Sequence, residues 1–127
     1  MDACARQWQA RLMSADHPLC DLAELPPGGQ LGFAPAAATA PPLFAIHGPE
    51  GPVVYINACP HLGLPLDWKP GKFLNDAGTL IICATHAAEF RITDGHCLRG
   101  PCRGDTLTKV PCTLVNGRLM VPAKYAR

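Results

Sequence analysis

Two short segments hold side chains whose types and spacing could do chemistry: Cys59-Pro60-His61-Leu62-Gly63 and Cys83-Ala84-Thr85-His86. Each supplies one soft thiolate and one borderline imidazole, so four metal ligands arrive as two mixed Cys/His pairs. Two kinds of metal chemistry suit such a set. Two cysteines and two histidines can enclose a tetrahedral structural zinc. They can equally divide over a [2Fe–2S] cluster, two thiolates on one iron and two imidazoles on the other. Zinc fingers usually pair Cys with Cys and His with His, whereas here each pair is mixed and the first is C-x-H.

The elements that must position these pairs read as short strands. Leu19 to Leu25 and Leu31 to Ala34 flank Pro26-Pro27-Gly28-Gly29, which can continue neither strand. Leu43 to His47 and Val53 to Asn57 flank Gly48-Pro49-Glu50-Gly51, a hairpin that delivers the chain to Cys59. Thr79 to Ile82 is apolar and β-rich and runs straight into Cys83. Glu89 to Thr93 leads into an Asp94-Gly95 turn, and Thr113 to Val121 contains Asn116-Gly117, a strong two-residue hairpin signal. The long spacer from His61 to Cys83 lets one strand leave and another return, bringing both pairs to one end of a sheet. Ahead of the strands, Cys4, Trp8 and Leu12 share one face of a predicted helix over Asp2 to Met13. The chain therefore divides into an N-terminal extension over 1–18 and one all-β domain over 19–127.

Composition narrows the function. A length of 127 residues suits a single core. Eleven basic residues against ten acidic ones leave no basic stripe, which argues against nucleic acid and against a polybasic membrane contact. No apolar run approaches the length of a membrane span or a signal peptide, so the expectation is a soluble, cytoplasmic protein. Seven cysteines in such a chain point to metal, redox or buried thiols, not to a secreted disulfide framework.

With these residues in hand, the chain resembles the Rieske [2Fe–2S] ferredoxin family. The resemblance rests on Cys59-Pro60-His61-Leu62-Gly63-Leu64-Pro65-Leu66, on Ile82-Cys83-Ala84-Thr85-His86, on Phe90-Arg91-Ile92 before Asp94-Gly95, and on Gly100-Pro101-Cys102, similar to the proline loop that covers the cluster. It implies an antiparallel fold of three β-sheets with one [2Fe–2S] cluster between two loops at one tip. It further implies that Cys59 and Cys83 ligate the inner iron, and that His61 and His86 ligate the outer iron with one imidazole edge near solvent. The chain departs from common members at Ala87, where glycine usually follows the histidine. Rieske subunits of cytochrome bc complexes carry a disulfide between their cluster loops, and the matching positions here are Leu64 and Thr85. They also place serine and tyrosine hydroxyls near the cluster, where this chain has Ala88 and Phe90. Fewer donors to cluster sulfur imply a lower potential.

The resulting expectation is a soluble electron carrier, not an enzyme, passing single electrons between protein partners: a reductase on one side and a terminal oxygenase or reductase on the other. No small-molecule substrate, nucleic acid or membrane is expected. The alternatives are a zinc-stabilised binding module without redox function, or a small Rieske subunit of an oxygenase or nitrite reductase. Nothing after His86 builds the two-His, one-carboxylate iron site of a catalytic oxygenase subunit. Pro60, Leu62, Leu64, Pro65 and Ala87 form an apolar rim suited to a transient redox interface. Cys4, Cys20, Cys97, Cys102 and Cys112 read as buried or idle thiols, with Cys97 and Cys102 the pair to test for redox behaviour. His17, His47 and His96 have no metal-type partner in the sequence, and Trp8 and Trp68 read as packing residues.

Overall fold

The computed structural model describes residues 17–35, 40–60, 63–84 and 87–126, so the helix expected over 2–13 lies outside the described residues. The strands form three antiparallel sheets. The first has the order β1 (His17–Asp21), β10 (Arg118–Val121), β9 (Thr113–Val115). The second runs β2 (Gln30–Phe33), β3 (Leu43–Gly48), β4 (Gly51–Ile56), β8 (Lys109–Val110). The third runs β5 (Leu80–Ile82), β6 (Glu89–Arg91), β7 (Cys97–Arg99). The all-β, three-sheet expectation is borne out.

The hairpin β3–β4 is the central layer, and its pattern explains why Leu43, Phe44, Ala45 and Ile46 are all buried. Paired residues share a face, and alternate residues point to opposite faces. Phe44 pairs with Tyr55 and Ile46 with Val53, and these four belong to the core that also holds Cys59 and Cys83. Leu43, Ala45 and Val54 face the other way, onto Cys20, Leu119 and Val121 of the first sheet. A strand buried on both faces reads as continuous apolar sequence. Phe73 stacks on Phe44 with centroids 4.4 Å apart, which pins the 66–74 segment to this layer.

Local chemistry sets the remaining boundaries. The strand expected over 19–25 ends at Asp21, because Glu24 Oε1 accepts the Asp21 N–H at 3.2 Å and the chain turns into a 3-10 helix over Leu22–Glu24. The Asn116-Gly117 turn forms as expected, with φ of 51° and 78° and Val115 opposite Arg118. Strands β7 and β8 escape sequence reading, being three and two residues long without clear alternation. A single helical turn, α1 (Ala123–Ala126), follows β10. No helix among the described residues is long and apolar enough to cross a membrane.

Candidate metal centre

Strand β4 leads into the loop that begins at Cys59, and β5 leads into the one that begins at Cys83. Beyond β4, the Asn57 N–H donates to the Pro42 carbonyl at 2.9 Å, while its side chain turns inward and is 8 % exposed. There Asn57 Oδ1 accepts the Leu66 N–H at 2.7 Å, and Nδ2 donates to Asp67 Oδ1 at 3.2 Å. One buried amide therefore closes the loop that contains Cys59 by tying its exit to its entrance. Gln30 does similar work from the neighbouring strand, its Oε1 accepting the N–H groups of Phe73 and Leu74 at 2.6 and 3.0 Å. Sequence reasoning missed both residues; for Asn57, a polar side chain two positions before Cys59 was the available signal.

The two loops are built on one plan. The Cys59 N–H donates to the Leu64 carbonyl at 2.8 Å, and the Gly63 N–H donates to the Cys59 carbonyl at 2.6 Å. In the second loop the Cys83 N–H donates to the Ala88 carbonyl at 2.8 Å, and the Ala87 N–H donates to the Cys83 carbonyl at 2.9 Å. Each loop thus closes between its cysteine and the residues four and five positions later. In both, the residue four positions on takes a left-handed backbone: Gly63 at φ 74° and Ala87 at φ 55°. That conformation favours glycine, so Ala87 carries a local cost on the order of 1 kcal/mol. The Ala84 N–H donates to the Leu66 carbonyl at 2.9 Å and joins the loops.

This plan buries both thiols, Cys59 at 3 % exposure and Cys83 at none. Thiolates held in a closed, apolar wall could bind a soft metal and keep water from it. His61 and His86 lie outside the described residues, as do Leu62 and Thr85. Around the thiols, Ala88 and Phe90 are fully buried and supply no hydroxyl. Cys102, from the turn after β7, is also buried; its Sγ lies 3.1 Å from that of Cys97, in the same core as Cys59. Burial first, then the neighbouring thiols of Cys97 and Cys59, pushes its pKa up to about 12.

Outside this wall the other expected residues have ordinary roles. His47 Nδ1 donates to the Leu25 carbonyl at 2.9 Å, a purely structural contact. His96 is half-buried and bridges to Thr106. Trp68 is 45 % exposed instead of packed, with Lys69 Nζ 5.5 Å from its ring centroid. It lines an open apolar hollow of about 360 Å³ together with Leu74, Ile82, Cys83, Ala84 and Ala87. Leu64, Pro65, Ala84 and Ala87 are exposed at the same end.

Three small antiparallel sheets carrying a pair of matched, thiol-burying loops define a cluster-binding β domain. Residues 16–113 match the family described as Rieske [2Fe-2S] domain, and the chain belongs to that family, whose group is a [2Fe–2S] cluster. Among solved structures it is similar to the ferredoxin of Sphingomonas yanoikuyae B1, with a TM-score of 0.67 and 22% identity over 85% of this chain and 98% of that one. It is also similar to the ferredoxin of carbazole 1,9a-dioxygenase from Nocardioides aromaticivorans IC177, with a TM-score of 0.65 and 17% identity over 84% and 96% of the two chains. A complex of reduced oxygenase and oxidized ferredoxin in carbazole 1,9a-dioxygenase gives a TM-score of 0.67 at 18% identity, covering 87% of this chain and 94% of that one. A search of curated proteins returned no match.

Proposed function

We propose that this protein is a Rieske-type electron carrier in which Cys59 and Cys83 hold one iron of a single [2Fe–2S] cluster and His61 and His86 hold the other. The observation that carries the assignment is the matched pair of loops, each burying one thiol at the same point of the same hydrogen-bonded turn. This donor set fits the group: both thiols are soft, dry and backed by a packed core. When bound, the cluster takes up and releases one electron at a time. The chain's part is to hold ligands still, so that little rearranges on electron transfer, and to set the energy of the added charge. Ala88 and Phe90 offer no hydroxyl donor, which favours a low potential.

The partners proposed are a reductase and a terminal oxygenase or reductase; the ferredoxins similar in fold include components of a dioxygenase. Leu64, Pro65 and Ala87, exposed beside the loops, suit a contact that sheds water and then dissociates. The cytoplasm suits such a carrier, since its cysteines read as thiols. Iron and acid-labile sulfide analysis tests the assignment. Equal amounts of both are expected, lost on replacing Cys83, His61 or His86 and retained on replacing His47. Zinc without sulfide would overturn it.

A further inference from the structure

Three buried thiols meet beneath the turn that follows β7, and only one of them belongs to the proposed ligand set. Cys97 and Cys102 lie with their Sγ atoms 3.1 Å apart, in the same buried core as Cys59. We propose that Cys97 and Cys102 form a reversible dithiol–disulfide site that acts on the cluster through Cys59.

The backbone holds the two sulfurs in place. The Cys97 N–H donates to the Asp105 carbonyl at 2.8 Å, the Asp105 N–H donates to the Cys102 carbonyl at 2.8 Å, and the Arg103 N–H donates to the Gly100 carbonyl at 3.1 Å. Gly100, at φ 105°, passes so close to Ala88 that a side chain has no room, which keeps the turn pressed against the second ligand loop. Sulfur atoms in this contact need approach by only about 1 Å to reach the ~2.05 Å of a disulfide bond. Buried thiols are ordinarily inert because a reagent cannot reach them. Here residues 99–101 and 103–105 are exposed around buried Cys102, so a small opening of the turn uncovers the pair.

The oxidant is a low-molecular-weight disulfide. One protein sulfur gives up its proton and attacks it, breaking the S–S bond and releasing one small thiol. The second protein thiol then displaces the other small thiol as the Cys97–Cys102 bond forms. Two protein protons leave on the two small thiols, the protein pair loses two electrons, and the small disulfide gains them. A dithiol reductant reverses the sequence. In intracellular proteins such bridges are typically redox-sensing.

The bridge also changes what Cys59 feels. The Cys97 S–H points at the Arg99 carbonyl, 3.1 Å away, leaving Cys102 as the thiol with a proton to offer its neighbours. A protonated thiol packed near a ligating sulfur favours the electron added on reduction over a site without that proton. Forming the bridge removes that proton, so the cluster's midpoint potential falls. This coupling rests on Cys59 being a cluster ligand; formation of the bridge does not.

Holoprotein equilibrated in glutathione buffers of graded oxidation, then denatured and labelled with N-ethylmaleimide for peptide mass spectrometry, tests both halves, with iron, sulfide and midpoint potential measured on the same samples. Cys97 and Cys102 are expected to lose both labels together as oxidised glutathione rises and to regain them after dithiothreitol, while the midpoint shifts downward. Cys102→Ala should show the lower midpoint at every poise, and Cys97→Ser should keep the higher one and ignore the poise. Full labelling of both thiols at every poise overturns the proposal, and so does a bridge that leaves the midpoint unmoved. If either variant fails to fold, the reduced and oxidised wild-type forms decide the question alone. A bridge in protein that binds no iron or sulfide would sink the cluster assignment and leave the dithiol site standing.

Discussion

Gly100→Ala tests the claim that the turn after β7 is pressed against the Cys83 loop at Ala88. A Cβ at this position would lie 2.7 Å from Ala88 Cα and 2.8 Å from Ala88 Cβ. Those atoms cannot swing aside, because the Ala88 carbonyl holds the Cys83 N–H. Two costs combine. A side chain at φ 105° costs about 1–2 kcal/mol, and forcing a carbon into a packed contact costs about 1–3 kcal/mol, giving a loss of about 2–5 kcal/mol. Gly104→Ala in the same turn supplies the control, since Gly104 has a similar φ of 93° but nothing within 4 Å of its Cβ position. It should show only the backbone cost. At roughly 4 °C per kcal/mol for a domain of this size, Tm should fall by about 8–20 °C for Gly100→Ala and about 4–8 °C for Gly104→Ala. Thermal melts of the two holoproteins, followed by cluster absorbance, read the difference. Tm values agreeing within about 2 °C would refute the close contact.

Tyr55→Phe removes a buried hydroxyl that donates to the Ile92 carbonyl at 2.6 Å, joining the second sheet to the third; chemical denaturation should show a loss of about 1–3 kcal/mol, since that carbonyl is left unpaired. Ala87→Gly should leave stability unchanged or raise it by up to about 1 kcal/mol, because relief of the φ 55° strain offsets the entropy a new glycine adds to the unfolded chain. For the cluster, voltammetry should find a midpoint toward the low end of the Rieske range, roughly −150 mV, and the double variant Ala88→Ser, Phe90→Tyr should raise it by adding hydroxyl donors. Asp94 is held down to about 2 by hydrogen bonds from Arg91, then from the His96 N–H, so the pair stabilises the fold above the ordinary Asp range and loses this as pH falls toward 2. The pair is half exposed, so Asp94→Asn should lower Tm only slightly at pH 7 and not at pH 2 in melts across that range.

How much of this was legible in the sequence depends on the range of each interaction. Ligand types are local chemistry, so Cys59, His61, Cys83 and His86 stand out as candidates from residue type and spacing. Turn signals are local as well: Asn116-Gly117 forms its hairpin because both residues tolerate positive φ. The continuous apolar run over Leu43 to Ile46 announced a strand but not the two cores it separates. What only tertiary structure decided lies in contacts between distant residues. Gln30 satisfies backbone groups 43 and 44 positions away, and Asn57 closes its loop from a position that reads as the end of a strand. The contact of Cys102 with Cys97 is of the same kind: the sequence marks the two as a pair to test, and only the fold brings their sulfurs to 3.1 Å. A residue type states which bonds a side chain can make, and the fold decides which partner stands within 3 Å of it.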